Sequence, residues 1–236
     1  MRKLIPHVLL ALMTLGAGVA ALSSFQSTRF SGAFVELKET TCLDQATSQP
    51  IPASQTSTKT LVPSWGDYSS QARYATPAST GLVAVAPAGW YCRAASGTPA
   101  GVDIRSNSSQ LQPATIIEYL TTSDQSASRM ACPYNKEARS LVNAATDAVT
   151  ATQICTPSPS DRIIRKIGNF VIIKSTSANT GTIYGALSFQ NSQSKLTAKL
   201  GVCVPIDEKI TSGTSTYTFD AGACLQYLRT FALNNG

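Results

Sequence analysis

The chain has 236 residues, of which 43% are hydrophobic and 14% are charged, and its formal net charge is +6. A chain of this length and composition can bury the core of one ordinary globular domain, which excludes a disordered tail. Its basic residues are scattered rather than arranged in a stripe with interleaved aromatics, so no nucleic-acid partner is expected. One basic cluster among isoleucines is interpreted as the solvated edge of a hairpin. It comprises Arg162, Arg165, Lys166 and Lys174.

Residues 1–22 have the features of a targeting segment. Arg2 and Lys3 form a positive n-region, an apolar stretch follows, and small residues precede a plausible cleavage point after Ala21. An uncleaved anchor is the alternative, because residues 4–22 are just long enough to cross a bilayer. Both interpretations place the rest of the chain outside the cytoplasm, secreted or anchored, with the membrane as a partner only if the segment stays attached.

Residues 23–80 are expected to form a connector. From about residue 44 the sequence is rich in Ser, Thr, Pro, Gln and Ala, a composition typical of a poorly structured stretch. Trp65 and Tyr68 are large for a pure spacer, which favours docking of this part onto the following domain.

Residues 81–236 are predicted to form the folded domain, and its first half begins with short strands. Strands are expected up to Pro87 and over 90–94, where a Gly- and Pro-containing turn leads into a returning strand. A further strand covers IIEYLTT. Apolar residues then recur at spacings of three and four, which predicts an amphipathic helix over about 134–153.

The second half repeats this order of strands followed by a helix. RIIRKI and FVIIKSTS flank Gly168-Asn169, a pair suited to a tight hairpin. TIYGALSF and KLTAKLGVCV follow as strands, and Asp220 is a natural N-cap for a last amphipathic helix. The sequence therefore predicts an α+β domain, in which two amphipathic helices pack on one face of an antiparallel sheet.

Six cysteines lie beyond the targeting segment. They are Cys42, Cys92, Cys132, Cys155, Cys203 and Cys224. An even number in an exported chain favours three disulfides over free thiols, and the absence of C-x-x-C spacings disfavours zinc.

Six cysteines allow 15 pairings. Cys203 ends a half-buried strand and Cys224 lies on the inner face of the last helix, so these two are expected to pair. Cys132 with Cys155 and Cys42 with Cys92 complete the prediction. The pair that brackets the first helix requires that helix to be shorter than predicted, or the chain after it to fold back, because twenty helical residues span about 30 Å.

Four sequence runs carry a resemblance over about residues 81–236. They are APAGWYCRAASG, ACPYNKEA, GVCVP and ACLQYLRTF. Together they resemble an uncharacterised family of secreted or membrane-anchored bacterial ectodomains that has no assigned activity. The resemblance implies a fold type and an extracytoplasmic compartment.

The sequence contains few candidate catalytic residues. The only histidine, His7, lies in the targeting segment, which excludes histidine-based triads and histidine-ligated metals from the exported domain. Asp207 and Glu208 are adjacent and would point to opposite faces of a strand. Ser192 and Lys195 have a Ser-x-x-Lys spacing, but in a polar hairpin loop rather than on a helix. No cofactor, metal or catalytic residue is predicted.

The leading hypothesis is therefore a non-catalytic binding or structural domain with a protein or cell-surface ligand. A carboxylate-based hydrolase and a secreted enzyme inhibitor are the alternatives. Two carboxylates about 5 to 10 Å apart in a cleft would favour the hydrolase, whereas a protruding loop bounded by disulfides would favour the inhibitor.

Overall fold

The computed structural model describes residues 32–51, 59–64, 68–106, 116–177, 181–192, 195–205, 209–212 and 215–236. The targeting segment, Trp65, Asp207 and Glu208 lie outside the described residues, so the predictions made on them stay predictions. No helix within the described part is long and apolar enough to span a membrane.

Fifteen strands and four α-helices are present in the described part of the chain. The strands are β1 (Gly32–Glu36), β2 (Glu39–Thr40), β3 (Leu43–Asp44), β4 (Lys59–Pro63), β5 (Gln71–Tyr74), β6 (Ala84–Pro87), β7 (Tyr91–Ala95), β8 (Ala100–Arg105), β9 (Ile116–Ser123), β10 (Arg162–Ile167), β11 (Phe170–Ser177), β12 (Gly181–Ser192), β13 (Lys195–Val204), β14 (Lys209–Ser212) and β15 (Ser215–Thr218). The helices are α1 (Asp124–Ala131), α2 (Lys136–Ala145), α3 (Ala148–Cys155) and α4 (Ala221–Asn235).

An eight-stranded sheet organises the fold. Its order is β10-β11-β12-β13-β9-β8-β7-β3, and every pair is antiparallel except β3 with β7. The hairpin predicted at Gly168-Asn169 joins β10 to β11, and Gly168 adopts a φ of 56° there. Glycine adopts this left-handed conformation without the steric penalty of a Cβ.

The two faces of this sheet support separate cores. Because side chains alternate along a strand, Tyr119 and Cys203 point to one face, which α4 covers. We call it the α4 face. Leu187 and Ala198 point to the other, which α1 covers over β12, β13 and β9. We call this second side the α1 face, and α2 and α3 pack behind α1.

The packing of two helices on one face is therefore not confirmed. The predicted helices over about 134–153 and from 221 lie on opposite sides of the sheet, because β11 is apolar in both directions. Ile172 is buried in the core of the α4 face and Ile173 in the core of the α1 face. A strand that buries both faces needs a covering layer on each side of the sheet. The antiparallel α+β class itself agrees with the prediction.

The helix predicted over about 134–153 is broken into α2 and α3. Thr146 leaves the helical conformation, and Asp147 caps α3 by accepting hydrogen bonds from the backbone N–H groups of Val149 and Thr150 at 3.1 and 3.0 Å. An N-cap side chain of this kind starts a new helix. The break returns the chain to α1, and this solves the length problem of the disulfide across the helix.

The structure contains three disulfides, Cys42–Cys92, Cys132–Cys155 and Cys203–Cys224, with Cα separations of 5.0, 4.9 and 5.5 Å. These are the three pairs that the sequence favours. Cys203–Cys224 ties α4 to β13, and Cys132–Cys155 ties the end of α1 to the end of α3.

The segment predicted as a connector contributes strands to the fold. β1 pairs with β4, and β2, β5 and β6 form a small sheet beside the α4 face. Val62 and Tyr74 are fully buried there. The side-chain amides of Asn234 and Asn235, at the end of α4, each bond a backbone N–H and C=O, at Leu61 and Val83 respectively. The last turn of α4 thus serves as a hydrogen-bonding partner for two N-terminal segments.

Candidate ligand-binding face

A row of directly paired residues crosses the α1 face from β7 to β12. Arg93 pairs with Asp103, Asp103 with Glu118, Glu118 with Val202, and Val202 with Gly185. Neighbouring strands are about 4.8 Å apart, so this row is about 19 Å long. It begins among charged side chains and ends at an apolar cavity. We call it the cross-strand row.

The charged end of the row lies on β7 and β8. Asp103 accepts three hydrogen bonds from the guanidinium of Arg105, two residues further along the same face, at 2.6 to 3.1 Å. Both side chains keep somewhat under a third of their surface exposed. The Nε–H of Arg93 donates to the hydroxyl of Tyr91 at 2.6 Å, and its guanidinium lies 5.6 Å from the centre of that ring. These pairs hold two guanidinium groups on a partly open surface.

Glu118 is the half-buried member of this charged group. Burial raises the pKa of its carboxyl above the ordinary value of 4.5, and the negative charge of Asp103 adds to that rise, while Arg105 opposes it. The hydrogen bonds that Arg105 donates to Asp103 in turn raise the pKa of the Arg105 guanidinium. Two carboxyl groups on adjacent strands thus experience different surroundings, since Asp103 is held in an ion pair and Glu118 is desolvated.

An apolar cavity of about 190 Å³ lies at the other end of the row. Ile173, Leu187, Leu200 and Val202 supply its apolar walls, and Gly185 leaves part of the sheet surface bare. A Cβ built on Gly185 would meet only the carbonyl oxygen of Gly201, at 3.7 Å. The cavity therefore has room for an apolar side chain or a small apolar group.

Tyr134 and Asp161, two half-buried side chains joined by a hydrogen bond, form the polar wall of the cavity. The Tyr134 hydroxyl donates to Asp161, whose carboxylate also accepts from the backbone N–H of Ser158 at 2.8 Å. Burial raises the pKa of Asp161, but the hydrogen bonds from Tyr134, Ser175 and Ser158 outweigh it and hold the pKa below its usual range. Burial and then the neighbouring carboxylate raise the pKa of Tyr134. These hydrogen bonds hold the Asp161 carboxylate in place at the polar side of the cavity.

No family model, curated protein or solved structure matches this chain. Membership of the family of secreted bacterial ectodomains therefore stays a prediction, and the functional argument depends on the geometry alone.

The residues singled out in the sequence do not assemble into a catalytic group. Ser192 and Lys195 are exposed register partners at the hairpin between β12 and β13, not successive turns of a helix. Within the described ranges, no three or more His, Cys, Asp and Glu residues cluster in a way that could hold a metal ion. The six cysteines form structural cross-links.

The pairing of Asp103 with Glu118 is not evident from the sequence. A signal was present, because VDIRS and IIEYLTT are successive predicted strands and each carries an acid between apolar residues. If such strands pair, both acids face the same side. Register decides whether they are neighbours, and register cannot be read from the segment of nine residues, 107–115, that separates them.

Proposed function

We propose that this protein is an exported, non-catalytic domain that binds an extended segment of another macromolecule across its α1 face. The observation that carries the proposal is the cross-strand row, which joins charged side chains to an apolar cavity over about 19 Å. That length matches about six residues of extended peptide. An apolar side chain would enter the cavity beside Gly185, and the charged end would bond the peptide's polar groups.

The disulfides support an extracytoplasmic location for the domain. Three intramolecular disulfides indicate an oxidising, extracytoplasmic setting. Within that setting, we propose that residues 1–22 direct export and that the domain is either released or held at the membrane. A partner in the same compartment is then the natural source of the bound segment.

Selection of peptides tests the binding proposal. A phage-displayed heptapeptide library panned on the oxidised domain is the probe, and selected peptides are expected to share an apolar residue beside polar ones. Gly185→Val places an isopropyl group in the space meant for the peptide's apolar side chain. Binding of the selected peptides should weaken about tenfold or more, because one apolar side chain contributes about 1.5 to 3 kcal/mol when buried.

Gln190→Val is the matched control for this variant. It adds the same side chain to β12, at an exposed position on the α4 face, and should leave peptide affinity unchanged. Equal affinity of the wild-type domain and Gly185→Val for every selected peptide would refute binding at the cavity.

A carboxylate-based hydrolase is the second candidate, and the Asp103–Glu118 pair favours it. Enzymes that use two carboxyl groups keep one ionised and raise the pKa of the other, so that it serves as the acid. Asp103 in its ion pair and Glu118 with its raised pKa have this division. A screen against glycoside and ester substrates tests the idea. Turnover that disappears in Glu118→Gln and in Asp103→Asn, with the fold intact, would replace the binding proposal.

A further inference from the structure

A second cavity lies on the opposite side of the sheet, between α4 and the edge strand β10. It has a volume of about 280 Å³ and two arginines, Arg165 and Arg229, in its walls. Ile164, Ile172 and Leu225 supply the rest. The cavity is separate from the cross-strand row, since it opens beside the α4 face.

A β-bulge directs the first arginine into this cavity. In β10, Ile163 pairs with Ile173, whereas Arg165 pairs with Ile172, so the register shifts by one residue at Ile164. With regular pairing, Arg165 would lie opposite Val171 and point to the α1 face. The extra residue turns Arg165 to the α4 face instead. Bulges commonly redirect a side chain in this way beside a functional site.

The last helix directs the second arginine to the same place. Leu225 and Arg229 are one helical turn apart, so they share a face of α4, and both line the cavity. Arg229 is half-buried, and both its burial and the positive charge of Arg165 lower the pKa of its guanidinium. Two guanidinium groups in the walls of one cavity bring several N–H donors and two positive charges close together, a combination that suits an anionic ligand.

More positive charge surrounds this edge of the sheet. Arg162 and Lys174 are register partners on β10 and β11 and lie on the α4 face next to the Arg165–Ile172 pair. Ile164, the extra residue of the bulge in the cavity wall, is about half exposed. The surroundings thus combine positive charge with exposed apolar surface, which suits a ligand that has an anionic group and an apolar part.

We propose that the cavity between Arg165 and Arg229 binds an oxyanion group, of the phosphate type, carried on an apolar body. The two guanidinium groups would each donate hydrogen bonds to the oxyanion, a geometry for which arginine is better suited than lysine. Ile164, Ile172 and Leu225 would contact the apolar part. A free organophosphate and the headgroup of an anionic lipid share this chemistry.

Calorimetry on the full disulfide-bonded domain tests the site with three probes. They are inorganic phosphate, hexyl phosphate, and vesicles of phosphatidylglycerol compared with vesicles of phosphatidylcholine. Hexyl phosphate should bind more tightly than inorganic phosphate because of the apolar wall. Binding to phosphatidylglycerol vesicles in addition to hexyl phosphate identifies a lipid as a source, whereas binding to hexyl phosphate alone identifies a free ligand. If no probe binds, the proposal is refuted.

Charge variants distinguish the cavity from general attraction of anions. Arg165→Gln and Arg229→Gln should each weaken the binding of hexyl phosphate about tenfold or more, because each removes charge-assisted hydrogen bonds to the oxyanion. Lys166→Gln is the matched control, since it removes the same charge from the same strand, on the α1 face opposite Val171. An equal loss in all three variants would overturn the site in favour of diffuse electrostatics. Leu225→Ala should weaken the binding of hexyl phosphate but not that of inorganic phosphate. This variant still tests the site if an arginine variant fails to fold.

Discussion

Glu118 on β9 lies directly opposite Asp103 on β8, and the Asp103 side chain is bonded to Arg105. The two acids are therefore not equivalent. Burial and the charge of Asp103 make the ionised form of Glu118 unfavourable in the folded protein.

This relationship predicts how stability depends on pH. Because the pKa of Glu118 is raised on folding, its contribution to stability is fully present below the ordinary value of 4.5 and is lost as the pH rises through the higher folded-state pKa. Glu118→Gln should therefore raise the free energy of unfolding at pH 7 relative to the wild type, and this advantage should vanish at acidic pH. Urea unfolding at several pH values measures it. Exposed Glu36→Gln is the control, and a lower stability of Glu118→Gln at pH 7 would contradict the proposed desolvation.

The side-chain amide of Asn235 should contribute strongly to the stability of the fold. Its side chain is buried, accepts from the N–H of Val83 at 2.9 Å, and donates to the carbonyl oxygens of Val83 and Phe231 at 3.0 and 2.8 Å. Asn235→Ala leaves the Val83 backbone groups without this partner, and we expect a loss of about 1 to 3 kcal/mol in the free energy of unfolding. Asn234→Ala, at a less buried position, should cost less. Equal stability of Asn235→Ala and wild type would contradict the role of α4 as a partner for the N-terminal segment.

Replacement by alanine should destabilise the protein at one glycine of the central sheet and be tolerated at another. A Cβ on Gly101 would lie 2.2 Å from the carbonyl oxygen of Tyr119, so β8 and β9 would have to separate. We expect Gly101→Ala to cost about 1 to 3 kcal/mol. Gly185→Ala should be tolerated, since its Cβ would make only an ordinary contact with the carbonyl oxygen of Gly201, at 3.7 Å. Thermal unfolding of both variants decides the point, and a stable Gly101→Ala protein would refute the close approach.

The disulfides allow a comparison at matched loop length. Cys203–Cys224 and Cys132–Cys155 join residues 21 and 23 apart, and Cys42–Cys92 joins residues 50 apart. Chain entropy predicts losses of about 3 kcal/mol for either short loop and about 4 kcal/mol for the long one when both cysteines are changed to Ala. Denaturant titration of the three double variants measures these losses. Peptide mapping without reduction provides the control, and a link from Cys203 to any cysteine other than Cys224 would contradict the docking of α4.

The sequence predicts the local elements better than their packing. The hairpin at Gly168-Asn169 and the last helix are visible because turn residues and apolar spacing are local signals. The side of the sheet that each helix covers is not visible, because it depends on the alternation along β11, where Ile172 and Ile173 are both buried. The break at Thr146–Asp147 was also missed, since the apolar spacing continues through it.

The sites depend still more on information that is not local. Asp103 and Glu118 meet because of strand register, and Arg165 reaches Arg229 because of one extra residue in β10. A single bulge or a shift of one residue would reverse the face of each side chain. The composition could exclude histidine chemistry, but it could not indicate which charged residues would become neighbours.

Mapping of a selected peptide by nuclear magnetic resonance tests the central claim most directly. The ¹⁵N-labelled domain is titrated with the tightest heptapeptide from the library, and the changes in amide chemical shift are assigned to the sheet. Binding across the α1 face predicts the largest changes along the cross-strand row, from Arg93 through Glu118 to Gly185, and their loss in Gly185→Val but not in Gln190→Val. Changes centred instead on α4 and β10, or on the small sheet of β2, β5 and β6, would contradict the assignment of the α1 face as the binding surface.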